Sequence, residues 1–331
     1  MGILLKFKGG YELGKFVHDG KNTHFTLQIS CSARTFAEIF VNHSLKMKQL
    51  FLTIILLNVV MNASSQEKNA DKLIKNTVRI INQNINGTFT VGTGFFFSYN
   101  PDPSWNGRIE TIVTNKHVVK DAQVLKFAFR TETPVDEIGT KKDSIRNYDL
   151  LKPVDWIYNH PDPNVDLCII FLKPITEYFL KTHNEKLDIS YFEKQLIPND
   201  KIISQLTAIE DVIMIGYPEG MIEPKKLFPI VRKGITASSY KMDFNDKKDF
   251  LTDIFAIGGS SGSPVILYSN NGSHPYLLGV HYAGLNNNKS NLGLNIKSSQ
   301  IIEIFDSYIT LKLKDPNQIK FLEEFKKANK K

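Results

Sequence analysis

Short segments rich in Val, Ile, Thr, Phe and Tyr recur along the chain, separated by clusters of Gly, Pro, Asn, Asp and Ser. A first series covers residues 77–81, 88–97, 110–115, 124–129 and 166–172. A second covers 211–215, 228–237, 250–257, 264–268, 276–282 and 292–296. Even spacing of this kind predicts an all-β barrel or sandwich. The two series flank residues 175–187, whose pattern reads as a helix or ordered connection, so two antiparallel barrels are expected, about 76–173 and about 190–297. Ser298 or Ser299 can cap a helix carrying Ile301, Ile302, Ile304 and Phe305, and Asp315-Pro316 can start another carrying Ile319, Leu322 and Phe325.

The 331 residues, 42% hydrophobic and 23% charged, suffice for a two-lobed core. The net charge of +7 is unevenly placed: residues 1–65 hold seven Lys/Arg against three acids, which leaves +3 for the rest. That mild balance, without a basic stripe interleaved with aromatics, argues against a nucleic-acid partner. Met47-Lys48-Gln49, the apolar run 50–60 and the small residues Ala63-Ser64-Ser65 have the layout of a secretory signal over 47–65. The apolar run is too short for a membrane span of roughly 20 residues. Residues 1–46 are read as an upstream extension without assigned function, and 66–331 as the exported domain, secreted or periplasmic and off the membrane once the signal is cut. Of Cys31 and Cys168, only Cys168 would remain, so no intramolecular disulfide is expected; neither lies at metal-ligand spacing. No metal or cofactor is expected.

Small residues crowd one hydroxyl in Gly258-Gly259-Ser260-Ser261-Gly262-Ser263-Pro264. A serine becomes a nucleophile at neutral pH only beside a base that is itself oriented by a third group. Candidates for both exist: His117 ends the apolar run Ile112-Val113-Thr114-Asn115-Lys116-His117, and Asp166 opens the run Asp166-Leu167-Cys168-Ile169-Ile170. The order His, Asp, Ser, with separations of 49 and 95 residues, and the string Gly259-x-Ser261-Gly262-x-Pro264 resemble the chymotrypsin-like (trypsin-fold) serine endopeptidases. Gly92-Thr93-Gly94-Phe95-Phe96-Phe97 and Gly279-Val280-His281-Tyr282-Ala283-Gly284 extend the resemblance over roughly residues 76–306. An α/β-hydrolase would run Ser, Asp, His and carry glycine where Ser263 stands.

The resemblance implies two six-stranded antiparallel barrels, a His117-Asp166-Ser261 triad, and an oxyanion hole built from the N–H groups of Gly259 and Ser261. Ser260 stands where the family commonly has an acidic or amide residue that pairs with a freshly cut amino terminus, so a zymogen switch of that kind is not expected. His160-Pro161-Asp162 reads as a turn, and His183 as a solvated residue of the connection. Asn86-Gly87-Thr88 matches the glycosylation sequon but reads as a turn.

A polypeptide substrate would lie as an extended strand against Tyr282 to Gly284. Phe255 occupies the place of the acid that trypsin-like enzymes use against Arg/Lys. His281 resembles the pocket histidine of glutamyl endopeptidases, which meets Glu or Gln, while Ala256 stands where those enzymes carry threonine. The reading is an exported serine endopeptidase preferring Glu/Gln before the scissile bond. Its alternatives are a catalytically silent binding module on the trypsin fold and an esterase or acyl-hydrolase on the same scaffold. The oligomeric state is left open.

Overall fold

The computed structural model describes residues 4–6, 12–19, 22–26, 72–101, 107–134, 139–268, 275–285 and 291–314. The chain divides into two units, Met1–Ser64 and Ser65–Lys331. In the first, β1 (Leu4–Lys6), β2 (Glu12–Asp19) and β3 (Asn22–Thr26) form a three-stranded antiparallel sheet. The signal reading at 47–65 and the second tail helix from Asp315 lie outside the described residues.

The second unit opens with a sheet built from β4 (Thr77–Asn84), β5 (Phe89–Tyr99), β6 (Ile109–Thr114), β7 (Ala122–Glu132), β8 (Asp143–Leu151), β9 (Ile157–Asn159), β10 (Cys168–Phe171), β11 (Lys186–Leu187) and β12 (Phe192–Glu193). Their path is β11-β7-β4-β5-β6-β10-β9, with β8 added along β7 and β12 pairing β5 in parallel. Among the described residues this lobe therefore carries nine strands where six were expected. The second lobe is a closed six-stranded barrel, in the order β13 (Asp211–Gly216), β14 (Ile230–Thr236), β15 (Asp249–Asp253), β18 (Leu292–Lys297), β17 (Tyr276–Gly284) and β16 (Pro264–Leu267).

Strand periodicity explains how the lobes join. Successive side chains point to opposite faces, so Phe95, Phe97 and Tyr99 of β5 enter one core while Phe96 enters another. Val113 and Ile112 of β6 divide in the same way, as do Ile169 and Ile170 of β10, and on the other lobe Ile215 and Met214 of β13. One of these cores is shared between the lobes and sealed by helix α3 (Ser299–Lys314), whose Phe305 stacks on Tyr99 at 4.6 Å and Phe97 at 5.5 Å. Tyr99 also donates to Asp306 at 2.7 Å, and burial, with Asp306 beside it, raises its pKa. Fully burying an aromatic side chain contributes roughly 1.5–3 kcal/mol. From Gly92 to Tyr99 β5 is buried without a break, and so the part of the strand that underlies the site is tightly held in the fold.

The connection between lobes contains helix α1 (Lys173–His183), with Pro174 in its first turn and Asn184 closing it in the left-handed region. Ile175 and Phe179, four apart, turn one face into the first-lobe core. His183 is not fully solvated as expected, for its ring packs near Tyr178 and Phe179. A short helix α2 (Asp200–Gln205) is capped by Asn199, which accepts from Ile202 N–H. The strand expected over 250–257 ends at Asp253, because residues 254–259 peel away to build the turn before Ser261. Cys168 is fully buried, as a core residue should be.

Candidate active site

β6 and β10 are antiparallel neighbours with Thr114 opposite Cys168. His117 follows the end of one and Asp166 precedes the start of the other, so the ladder delivers both to the same edge. A 3-10 turn over Lys116–Val118 lifts His117 off the strand, leaving its ring half exposed. Asp166 accepts the His117 backbone N–H on Oδ1 at 3.0 Å and the ring Nδ1–H on Oδ2 at 2.5 Å. A carboxylate is an acceptor only, so this pairing puts the imidazole proton on Nδ1 and leaves Nε2 with a free lone pair. Asn115 braces the aspartate from behind by donating to its backbone carbonyl at 2.8 Å. Burial works to raise the Asp166 pKa, but the His117 hydrogen bond and charge, with the backbone N–H groups of His117 and Lys116, outweigh it and hold the carboxyl below its ordinary value. His160 forms the expected turn, its Nδ1 accepting from Asp162 N–H, with the ring buried.

Ser261 sits on a turn that only glycine tolerates. Gly259 has φ +88 and Gly262 φ +85. A Cβ at 262 would lie 1.9 Å from Thr93 O and 2.6 Å from Thr114 Oγ1, and one at 259 would lie 2.4 Å from Tyr217 O. These near contacts show the turn around Ser261 seated on Thr93 in the middle of β5 and on Thr114 at the end of β6, beside the strand that leads to His117. The turn is hydrogen-bonded to β17 in both directions, Gly262 N–H to His281 O and His281 N–H to Ser263 O. Ser261 Oγ donates to Tyr282 O at 3.3 Å. Ser260, Gly262 and Ser263 N–H groups are all satisfied internally, whereas those of Gly259 and Ser261 have no protein acceptor among the described residues. Two unsatisfied donors flanking a hydroxyl are what a developing oxyanion needs.

The expected pocket residues fall into three settings. Phe255 is largely exposed; its carbonyl accepts from Arg232, whose guanidinium lies over the ring at 5.3 Å from the centroid. Ala256 packs against the second-lobe core. His281, Tyr282 and Gly284 lie on β17, where the register shifts between His281 and Ala283. His281 is buried, with Nδ1 3.2 Å from Asn295 Oδ1. The Asn295 amide N–H2 faces Phe250 O, Thr252 Oγ1 and Gly293 O, so its oxygen is the acceptor and His281 Nδ1 the donor. Burial pushes the His281 pKa down to about 4, against the Asn295 bond, which raises it. Tyr282 donates to Asp249 Oδ2 at 2.8 Å. Asn115 and Asn295 carried no signal of their own in sequence, and Thr93 showed only as the middle of a Gly-Thr-Gly string, because the site residues they hold, Asp166, His281 and Gly259, come beside them only in the fold.

A profile of the trypsin-like peptidase domain matches residues 92–272. No curated protein sequence matches the chain. Among solved structures, the HtrA-type protease AlgW with a tripeptide aligns at TM-score 0.42 and 15% identity, over 73% of this chain and 62% of that one. The Rv3671c protease from M. tuberculosis in its active form aligns at 0.40 and 16%, over 70% and 80%. The serine endoprotease from Yersinia pestis aligns at 0.42 and 19%, over 74% and 66%. The chain thus spans less than two thirds of the AlgW chain, and it is the profile match, covering more than half of the 331 residues, that assigns the family. The chain belongs to the family of trypsin-like peptidase domains.

Proposed function

We propose that the protein is a serine endopeptidase in which Ser261 attacks the scissile carbonyl. His117 Nε2 takes the hydroxyl proton as the new C–O bond forms and returns it to the leaving amine, after which water repeats the cycle on the acyl-enzyme. Asp166 keeps the imidazole in the productive tautomer and stabilises the imidazolium. The carbonyl oxygen, as it becomes an anion, is received by the N–H groups of Gly259 and Ser261. The observation that carries this reading is the combination of a carboxylate-locked His117 with two unsatisfied N–H groups around Ser261. On substrate binding the Ser261 hydroxyl exchanges Tyr282 O for His117 Nε2, the kind of tightening that catalytic hydrogen bonds undergo in the Michaelis complex.

In this reading the domain of residues 66–331 is exported after removal of 47–65, and substrate pairs as a strand with Tyr282 to Gly284. No helix among the described residues is long and apolar enough to cross a membrane. Phe255, Ala256 and His281 shape the primary pocket. With Nδ1–H given to Asn295, the neutral His281 ring offers a lone pair on Nε2. A Gln amide can donate to it directly, whereas a Glu carboxylate binds there only with a proton added to the ring. This arrangement favours Gln over Glu at neutral pH in this reading.

Cleavage of a peptide library by wild-type protein and by Ser261→Ala tests the proposal. Hydrolysis of peptides after Gln, lost in Ser261→Ala, is the expected result. Turnover of esters alone would support the acyl-hydrolase, and hydrolysis of neither would support the binding module.

A further inference from the structure

An oxyanion hole depends on one peptide plane. If the Gly258–Gly259 unit were turned over, the Gly258 carbonyl would fill the space that the Gly259 N–H should serve. Ser260 offers little to prevent this: it is buried, and its Oγ accepts only a 3.4 Å bond from Ile257 N–H. Every carbonyl of the turn is nevertheless tied down from outside or within. Gly258 O accepts from Glu219 N–H at 2.5 Å, Gly259 O from Thr93 Oγ1 at 2.8 Å, Ser260 O from Ser263 N–H at 3.1 Å, and Ser261 O from Thr93 N–H at 2.8 Å. In a planar trans peptide the N–H points opposite to the C=O. Binding Gly258 O to Glu219 thus aims the Gly259 N–H away from Glu219.

Two of these four bonds come from Thr93, which stands on β5 of the other lobe and is fully buried. The same Thr93 Oγ1 accepts the Tyr217 N–H at 3.0 Å, and Thr93 O accepts from Thr114 Oγ1 at 2.7 Å. One hydroxyl therefore joins the nucleophile turn to the Tyr217–Gly220 turn, whose Glu219 supplies the bond to Gly258. Glu219 adopts φ +52, a left-handed conformation that a non-glycine residue keeps only where its surroundings over-determine it.

We infer that Thr93 is a positioning residue for the oxyanion hole: its hydroxyl couples the Tyr217–Glu219 backbone to Gly259 and holds the Gly258–Gly259 peptide in the orientation that presents the Gly259 N–H to substrate. This rests on the serine-endopeptidase reading of Ser261. Thr93 does the work from the first lobe, so the hole is assembled by the contact between lobes and needs neither a carboxylate at 260 nor a new amino terminus.

The test uses the full chain as wild type, Thr93→Val, which keeps the shape and removes the hydroxyl, and Thr93→Ser, which restores it. A fluorophosphonate is the probe, because its phosphonyl oxygen occupies the oxyanion hole in the adduct. Thr93→Val should label Ser261 about ten- to hundred-fold more slowly, since it loosens one donor of a kind whose removal costs about 10² to 10³. Thr93→Ser should recover to within about threefold of wild type, and the pH profile of labelling should keep its wild-type midpoint, the His117–Asp166 pair being untouched. Thermal unfolding identifies the folded fraction, and Thr93→Ala makes the same comparison should the valine variant fail to fold. Wild-type rates in Thr93→Val, or equal losses in Thr93→Ser and Thr93→Val, would overturn the positioning role alone. A wild type that the probe does not label at Ser261 would overturn the endopeptidase reading and this inference with it.

Discussion

Replacing Asp166 by Asn changes almost nothing in shape and inverts the proton arrangement of the site. The carboxylate now holds His117 through two bonds, at 2.5 Å to Nδ1 and 3.0 Å to the backbone N–H. In Asp166→Asn the amide oxygen can keep the backbone bond, which leaves the amide N–H2 facing Nδ1. The imidazole must then accept at Nδ1 and carry its proton on Nε2, where the Ser261 hydroxyl needs a base. Turnover should fall on the order of 10⁴, equivalent to about 5.4 kcal/mol of activation free energy. Volume and the Asn115 bond to the backbone carbonyl of residue 166 are retained, so the variant should fold, with a melting temperature at pH 7 lowered only by the stability that the ionised carboxylate adds. The acid limb of stability should flatten as well. The wild-type Asp166 pKa is depressed below 3.8, so its ionised form adds stability above about pH 3.8, lost as pH falls through the folded value. Steady-state hydrolysis of a library-derived peptide, alongside melting at pH 3 to 7, measures both. A folded Asp166→Asn within tenfold of wild-type turnover would refute the tautomer argument.

Three further outcomes are expected. Gly262→Ala should abolish activity and lower the melting temperature by many degrees, because its Cβ would meet Thr93 O at 1.9 Å from a backbone at φ +85; a melting temperature within 2 °C of wild type, taken as about 0.5 kcal/mol for a domain this size, would contradict the packing. Glu185, buried and bonded by Arg146 and Thr131, has its pKa held at about 2, chiefly by the Arg146 hydrogen bond. It stabilises fully above about pH 4.5 and progressively less toward pH 2, so Glu185→Gln should melt lower at pH 7 and converge with wild type in acid, as calorimetry would show. The ratio of kcat/KM for Gln over Glu peptides should rise from pH 5 to pH 8 as the proton needed on His281 becomes scarcer, and a flat ratio would count against His281 as the pocket residue.

Much of this site was legible because strand ends and tight turns announce themselves locally. Gly259 and Gly262 are required by positive φ, and His117 and Asp166 by their places beyond two apolar runs that pair as β6 and β10. The sheet of the first lobe was harder to read. β8, Asp143–Leu151, mixes exposed and half-buried positions and holds charged and polar residues along β7, so its hydrophobic alternation is weak. Strand β12 is two residues long and joins β5 in parallel, a contact with no local signature. Thr93 was visible only as the middle of a Gly-Thr-Gly string, since its partners Gly259 and Tyr217 lie 166 and 124 residues away. Asn295 becomes informative only once the closed barrel sets β17 beside β18 and His281 opposite it.

The central claim is that Ser261 is the sole covalent nucleophile. Reaction of the full chain with a fluorophosphonate, followed by peptide mapping in a mass spectrometer, tests it most directly. The account predicts a single adduct on Ser261, absent from Ser261→Ala and strongly slowed in Asp166→Asn. An adduct on another residue, or labelling that persists undiminished in Ser261→Ala, would contradict it.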